Sequence, residues 1–126
     1  MNTSETCFGV YIAQFVQKYT NAEIALIDAD TFYGNQKFSA GHIFTKGDIL
    51  NIFPYMDLTK IVVFECTGKA ILEALNHSVS LLPHYDGRFL HLAGIRFKYN
   101  IMNQDPNKRV LANTVFIETA SQKSAS

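Results

Sequence analysis

The chain has no tryptophan, only two cysteines, three prolines and a charged fraction of 17%, and each shortage narrows what it can be. Cys7 and Cys66 make neither a disulfide framework nor a zinc spacing. Cys66 sits in an apolar run, where a buried free thiol is the expectation. No run reaches the roughly 18 apolar residues that a bilayer-spanning helix needs, so no membrane segment is expected. Met1 to Thr6 is polar and lacks the basic-then-apolar order of a signal peptide. Neither sign of charge is in excess: eleven basic and eleven acidic residues cancel. The chain as a whole therefore has no field to attract nucleic acid or anionic lipid, and no nucleic-acid partner is expected. The low charged fraction points to surface that other chain or a partner covers.

Set against these shortages is a large apolar stock. Of 126 residues 48% are hydrophobic, with ten Phe and six Tyr, enough to build the core of one domain. Between Glu5 and Tyr19 the residues Phe8, Ile12, Phe15 and Val16 share one helical face. Asn21 ends that helix, and Glu23 to Ile27 reads as a short buried strand. A polar, glycine-containing loop runs from Asp28 to Gly41. Thr45 with Asp48 three residues on caps a short helix from Lys46 to Phe53, which Pro54 stops. Ile61-Val62-Val63-Phe64 is apolar on both faces and is predicted as a central strand. Thr67-Gly68 turns the chain into a helix from Lys69 to Leu82. Its apolar stripe is Ile71, Leu72, Leu75, Val79 and Leu82; Lys69, Glu73, Asn76, His77 and Ser80 line the other side.

From Phe89 to Tyr99, Leu90 and Leu92 alternate in one phase while Ile95, Phe97 and Tyr99 follow the other. The flip at Ala93-Gly94 predicts a bulge, because one extra residue exchanges the faces. Asp105-Pro106-Asn107 marks a turn, Val110 to Glu118 a last strand, and 119–126 a small polar tail expected to be disordered. The fold class that follows is α+β: a single domain over 1–118 with one mixed β-sheet flanked by helices.

Five of these pieces, in order, resemble the C-terminal domain of the 5′-nucleotidases. Glu5-Thr6-Cys7-Phe8-Gly9 resembles the family's opening, an acidic residue followed shortly by Gly-Asn. Ala22-Glu23-Ile24-Ala25-Leu26-Ile27 resembles Ala-Asp-Ile-Ala-Leu-Ile. Gly47-Asp48-Ile49-Leu50 and Phe53-Pro54-Tyr55 resemble the Gly-Asp helix and its Leu-Pro-Phe end. Thr67-Gly68-Lys69 leading to Ala74-Leu75-Asn76-His77-Ser78-Val79 resembles Thr-Gly-Lys and Ala-Leu-Glu-His-Ser-Val. Gly87 to Tyr99 resembles the glycine-led strand that follows.

The resemblance implies the substrate-binding part of a two-domain nucleotide hydrolase whose two divalent metals, and hence whose water activation, belong to an N-terminal domain. Among His42, His77, His84 and His91 there is no Asp-x-His or Asn-His-Glu cluster, so neither a catalytic residue nor a metal ligand is assigned, no cofactor is expected in this chain, and alone it is expected to be inactive. The family's substrate loop, Asn-x-Gly-Gly-x-Arg, falls on Asp28 to Tyr33: Asp28 replaces the Asn, Asp30 a glycine and Tyr33 the Arg. Carboxylates there repel a phosphate dianion. Loop structure is the commoner use of Asp28 and Asp30, and a calcium reading needs more oxygen ligands than one pair supplies. Another substrate-facing Arg of some members is Ser4 here, and Val10 stands for the Asn after Gly9. Tyr55 takes the place of one of the two aromatics that sandwich the base, the second belonging to a segment after the end of this chain. Packing beside Pro54 is its structural alternative.

Weak nucleoside or nucleotide binding at Tyr55, Asp28 and Tyr33 is therefore expected. His77 reads as structural. Arg96 and Lys98 should mark a solvated face, or one that meets a metallophosphoesterase domain. Self-association through an exposed strand edge is the competing expectation, that of a non-catalytic interaction protein which kept the fold. Family members are commonly secreted, periplasmic or surface-anchored, which leaves the localisation of this chain open.

Overall fold

The computed structural model describes residues 3–33, 36–55 and 60–118; Gly34 of the first loop and the expected tail 119–126 lie outside the described residues. The first helix, α1 (Cys7–Thr20), begins where the Thr6 hydroxyl accepts from the Gly9 N–H at 3.1 Å. It ends at Asn21, whose left-handed backbone (φ 54°) lets its N–H reach back to the last turn. Gly9, Ala13 and Gln17 form its buried stripe. The expected stripe was rotated from this one: Phe15 is exposed and stacks on Tyr19 at 6.2 Å between centroids. The physical reason is closeness of approach, since the helix meets a sheet floor through Gly9 and Ala13, with Phe8, Ile12 and Val16 only half-buried beside them.

That floor is β1 (Ala25–Asp28) paired antiparallel with β2 (Leu90–Ala93), in a register that sets Ala25 opposite Ala93 and Asp28 opposite Leu90. Ala13, Ala25 and Ala93 pack together under α1. Gly94 follows β2 at φ +77°, where a Cβ would also overlap the Glu23 carbonyl, so glycine is required at this position. There the chain leaves one ladder and enters another: β3 (Ile95–Arg96) pairs antiparallel with β4 (Phe116–Ile117). The phase flip read as a bulge is this hand-over between ladders. The last strand is shorter than expected because a 3₁₀ turn over Ala112–Thr114 interrupts it.

Helix α2 (Lys46–Ile52) has the expected capping box between Thr45 and Asp48. Helix α3 (Gly68–Val79) is capped by the Thr67 hydroxyl on the Ala70 N–H. Its Leu75 and Val79, with Ala29, Leu82, Phe89, Leu92, Ile95 and Val110, make the main core. Two residues assigned to its polar side are buried. Asn76 is satisfied there: its Oδ1 accepts from the Val110 N–H at 2.8 Å and its amide donates to the Leu72 carbonyl at 3.2 Å. The Ser80 hydroxyl donates to the His77 carbonyl at 2.7 Å and accepts from Arg88 at 3.2 Å. The helix end is closed by Arg109, whose guanidinium donates to the carbonyls of Val79, Ser80 and Leu82 at 2.8–2.9 Å.

The predicted central strand is not one. Among the described residues, Ile61-Val62-Val63-Phe64 pairs with no strand, and its side chains are 56%, 71%, 63% and 72% exposed. Cys66, expected to be buried in that strand, is exposed with it. β-Branched composition favours a pleated surface only where a neighbour supplies the ladder. The α+β class holds, with three helices and two small antiparallel ladders among the described residues where one mixed sheet was expected.

Candidate functional site

The loop that sequence comparison singles out leaves the end of β1 under tight backbone control. Asp28 caps a 3₁₀ turn over Ala29–Thr31: its Oδ1 accepts from the Thr31 N–H at 2.9 Å and from the Thr31 hydroxyl at 3.1 Å. The Ala29 N–H donates to the Phe89 carbonyl at 2.8 Å and is within 3.1 Å of the Gly87 carbonyl, which sews the loop to the entrance of β2. Asp28 is therefore used as loop structure. Asp30 lies so close to Gly87 that a Cβ at Gly87 would overlap its carboxylate.

Three residues after Asp30, the Tyr33 N–H donates to the Ile52 carbonyl at 2.7 Å, at the end of α2. Beneath this bond Phe32 and Phe53 pack at 5.4 Å, and Phe8 joins both at 5.8 and 6.5 Å. The loop after β1 and the Phe53-Pro54-Tyr55 turn are thus neighbours. Tyr33 and Tyr55 are 65% and 62% exposed on these two segments. Sequence reasoning named both segments; the phenylalanines that join them, Phe32 buried and Phe8 and Phe53 half-buried, went unread.

Two more groups went unread. His42 Nε2 lies 3.1 Å from Asp48 Oδ2, with Phe38 and Phe44 packed around the imidazole at 4.8 and 5.2 Å. The Asp48 carboxyl is held below the usual carboxylate range, first by the Thr45 N–H, then by the Thr45 hydroxyl and His42. His91, in β2, is fully buried below the loop. The rings of Phe32 and Phe89 meet it edge-on at 5.4 and 5.7 Å, and neither ring nitrogen has a hydrogen-bond partner. Burial pushes its pKa down, so the neutral imidazole is the resident form. The only local signal for this site was the glycine at Gly9, whose missing side chain makes room for the imidazole.

The basic residues of the second half are largely engaged within the fold. Arg88 pairs with Asp86 at 2.7 Å, Lys108 with Asp105 at 3.4 Å, Arg109 holds the α3 end, and Arg96 lies 5.6 Å from the Phe116 ring centroid. Arg96 and Lys98 are exposed, as their alternation with Ile95, Phe97 and Tyr99 predicts.

Among the described residues no three of His, Cys, Asp and Glu converge; the Asp28 carboxylate is engaged in its turn, that of Asp48 in its cap, and His91 lies between phenylalanine rings. Tyr33 and Tyr55 are exposed on neighbouring segments, and Asp28 and Asp30 are exposed in the loop that leads to Tyr33.

The chain is an α+β domain with its candidate residues on a loop and a helix-end turn. It belongs to the family "5′-nucleotidase, C-terminal domain", whose model matches residues 1–119. The trifunctional nucleotide phosphoesterase protein YfkN of Bacillus subtilis (strain 168) is 30% identical over 115 residues, which is 88% of this chain and 8% of that protein. The chain thus spans a small fraction of the curated relative it matches. No solved structure matches it.

Proposed function

We propose that this chain is the substrate-binding part of a 5′-nucleotidase-like nucleotide phosphoesterase, and that it hydrolyses nothing by itself. The observation that carries the reading is the 2.7 Å bond from the Tyr33 N–H to the Ile52 carbonyl, which joins the altered substrate loop to the turn bearing Tyr55. Tyr55 offers one face to a nucleobase, a contact worth about 1–3 kcal/mol in nucleic-acid binders. Asp28 and Asp30 stand where phosphate would approach, and Tyr33 replaces a cation, so the unphosphorylated nucleoside is the better ligand. Hydrolysis belongs to a metallophosphoesterase domain that carries the two divalent metals.

Titration of the pure chain with adenosine and with AMP, followed by amide shifts in NMR, tests this. Shifts at Tyr55 and residues 28–33, larger for adenosine than for AMP, are expected. No shift with either ligand at millimolar concentration removes the nucleoside site. Turnover of AMP by the chain with zinc, manganese or magnesium overturns the claim of inactivity.

A second reading has its own support. The four exposed apolar side chains of Ile61 to Phe64 suit a non-catalytic interaction protein that associates with itself or with another chain. Size-exclusion chromatography over a hundredfold range of loading separates the readings. A dimer that grows with concentration favours interaction, and a monomer throughout removes self-association.

A further inference from the structure

His91 occupies a position that no ligand role explains. Its imidazole is fully enclosed, sits between the edges of Phe32 and Phe89, and lies against Gly9 of α1 so closely that a Cβ there would overlap the ring. A buried polar ring without a partner is costly, and a charged one is far more so. Both nitrogens of an imidazolium are donors, and the box holds no acceptor for either. A protonated ring must therefore find water, and it can do so only by parting the groups that enclose it. One of these is Phe32, the residue between the Asp28 cap and the Tyr33 anchor. Another is Phe89, whose carbonyl accepts from the Ala29 N–H.

We propose that His91 is an acid-sensitive latch: uptake of a proton by its ring parts Phe32 and Phe89 from the imidazole and releases the loop 28–33 from β2 and from the end of α2. The latch stands whatever the loop binds, so the nucleoside reading can fail without it.

The other titratable groups on the surrounding elements do not substitute for His91. They are Cys7, Tyr11, Lys18 and Tyr19 on α1, Asp28 at the end of β1, Asp30 in the turn, and Asp86 and Arg88 leading into β2. None hydrogen-bonds the ring. Asp86 is held below the usual carboxylate range by the Arg88 N–H and then by its guanidinium, so it stays charged through mildly acidic pH. Burial opposes protonation of the ring. The closed box is therefore the state at neutral pH, and acid opens it.

Amide hydrogen exchange of the full chain at pH 7.5 and pH 5.0, corrected for the intrinsic pH dependence of exchange, reads the latch. The Ala29 and Tyr33 amides should lose at least about tenfold in protection on acidification, the effect of one proton over one pH unit, while Asn76 and Val79 in α3 hold theirs. In His91→Leu the loop protection should be the same at both pH values. An equal loss in that variant assigns the effect to another group and overturns the proposal, as does a wild-type loop that is indifferent to pH. If His91→Leu does not fold, the ring ¹⁵N shifts of wild-type His91 decide. Protonation that coincides with loop opening supports the latch. A ring that stays neutral while the loop opens, or charges while it stays closed, rejects it.

Discussion

Two short apolar segments of this chain, Ala25–Asp28 and Ile61 to Phe64, have opposite fates. The first becomes β1, paired residue for residue with β2 and roofed by Ala13 of α1. The second is richer in β-branched residues, yet pairs with no strand among the described residues and leaves its side chains in solvent. The difference lies in the neighbour and not in the segment. A strand is half of an interaction, and propensity names the half that is willing without saying whether the other is present.

A glutamate placed opposite β1, set against one placed within Ile61 to Phe64, tests this most sharply. Ala93→Glu sets a carboxylate opposite Ala25 under α1 and should cost more than about 4 kcal/mol, enough to leave the chain unfolded by circular dichroism. Leu75→Ala empties the centre of the main core and should cost about 3 kcal/mol in urea unfolding. Asn76→Ala leaves the buried Val110 N–H without its acceptor and should cost about 2 kcal/mol by the same measurement.

Acid is the next smaller probe. The folded pKa of His91 lies below its unfolded value of about 6.5, so the unfolded chain binds the extra proton. The His91 contribution is complete above about pH 6.5 and shrinks as pH falls from there to the depressed folded value. The loss is at most about 1.4 kcal/mol per pH unit, and urea midpoints in wild type and His91→Leu should diverge over that window. The smallest effect belongs to the unpaired segment: Val63→Glu should change stability by less than about 0.5 kcal/mol. A loss above about 1.5 kcal/mol there would mean that Ile61 to Phe64 is covered in solution, and the comparison would break.

What the sequence disclosed followed the range of each signal. The helices read over Glu5 to Tyr19, Lys46 to Phe53 and Lys69 to Leu82 announce themselves within a few residues, and the structure has all three as Cys7–Thr20, Lys46–Ile52 and Gly68–Val79. The order of family motifs pointed to the family, which the match over residues 1–119 bears out. Pairing across the chain was invisible. Nothing near Ile61 says whether a strand lies beside it, and nothing near Asn76 says that a backbone N–H from Val110, 34 residues on, needs its oxygen. The candidate site divides in the same way. Asp28, Tyr33 and Tyr55 were legible because a motif marks them. His91 and the Phe8–Phe32–Phe53 cluster were not, because they become a unit only when α1, the loop and β2 converge.

Arg109 gives the molecule a second fastening of a different kind. A guanidinium keeps its charge at any pH at which a protein stays intact, so its grip on the three carbonyls after α3 does not slacken in acid. The fold is then held by one clasp that a proton can open and one that it cannot. Mild acid should undo the domain from one side, with α1 and the loop letting go first. The α3 end and the segment around Val110 should remain as the last organised remnant, and a refolding chain returned to neutral pH should start from there.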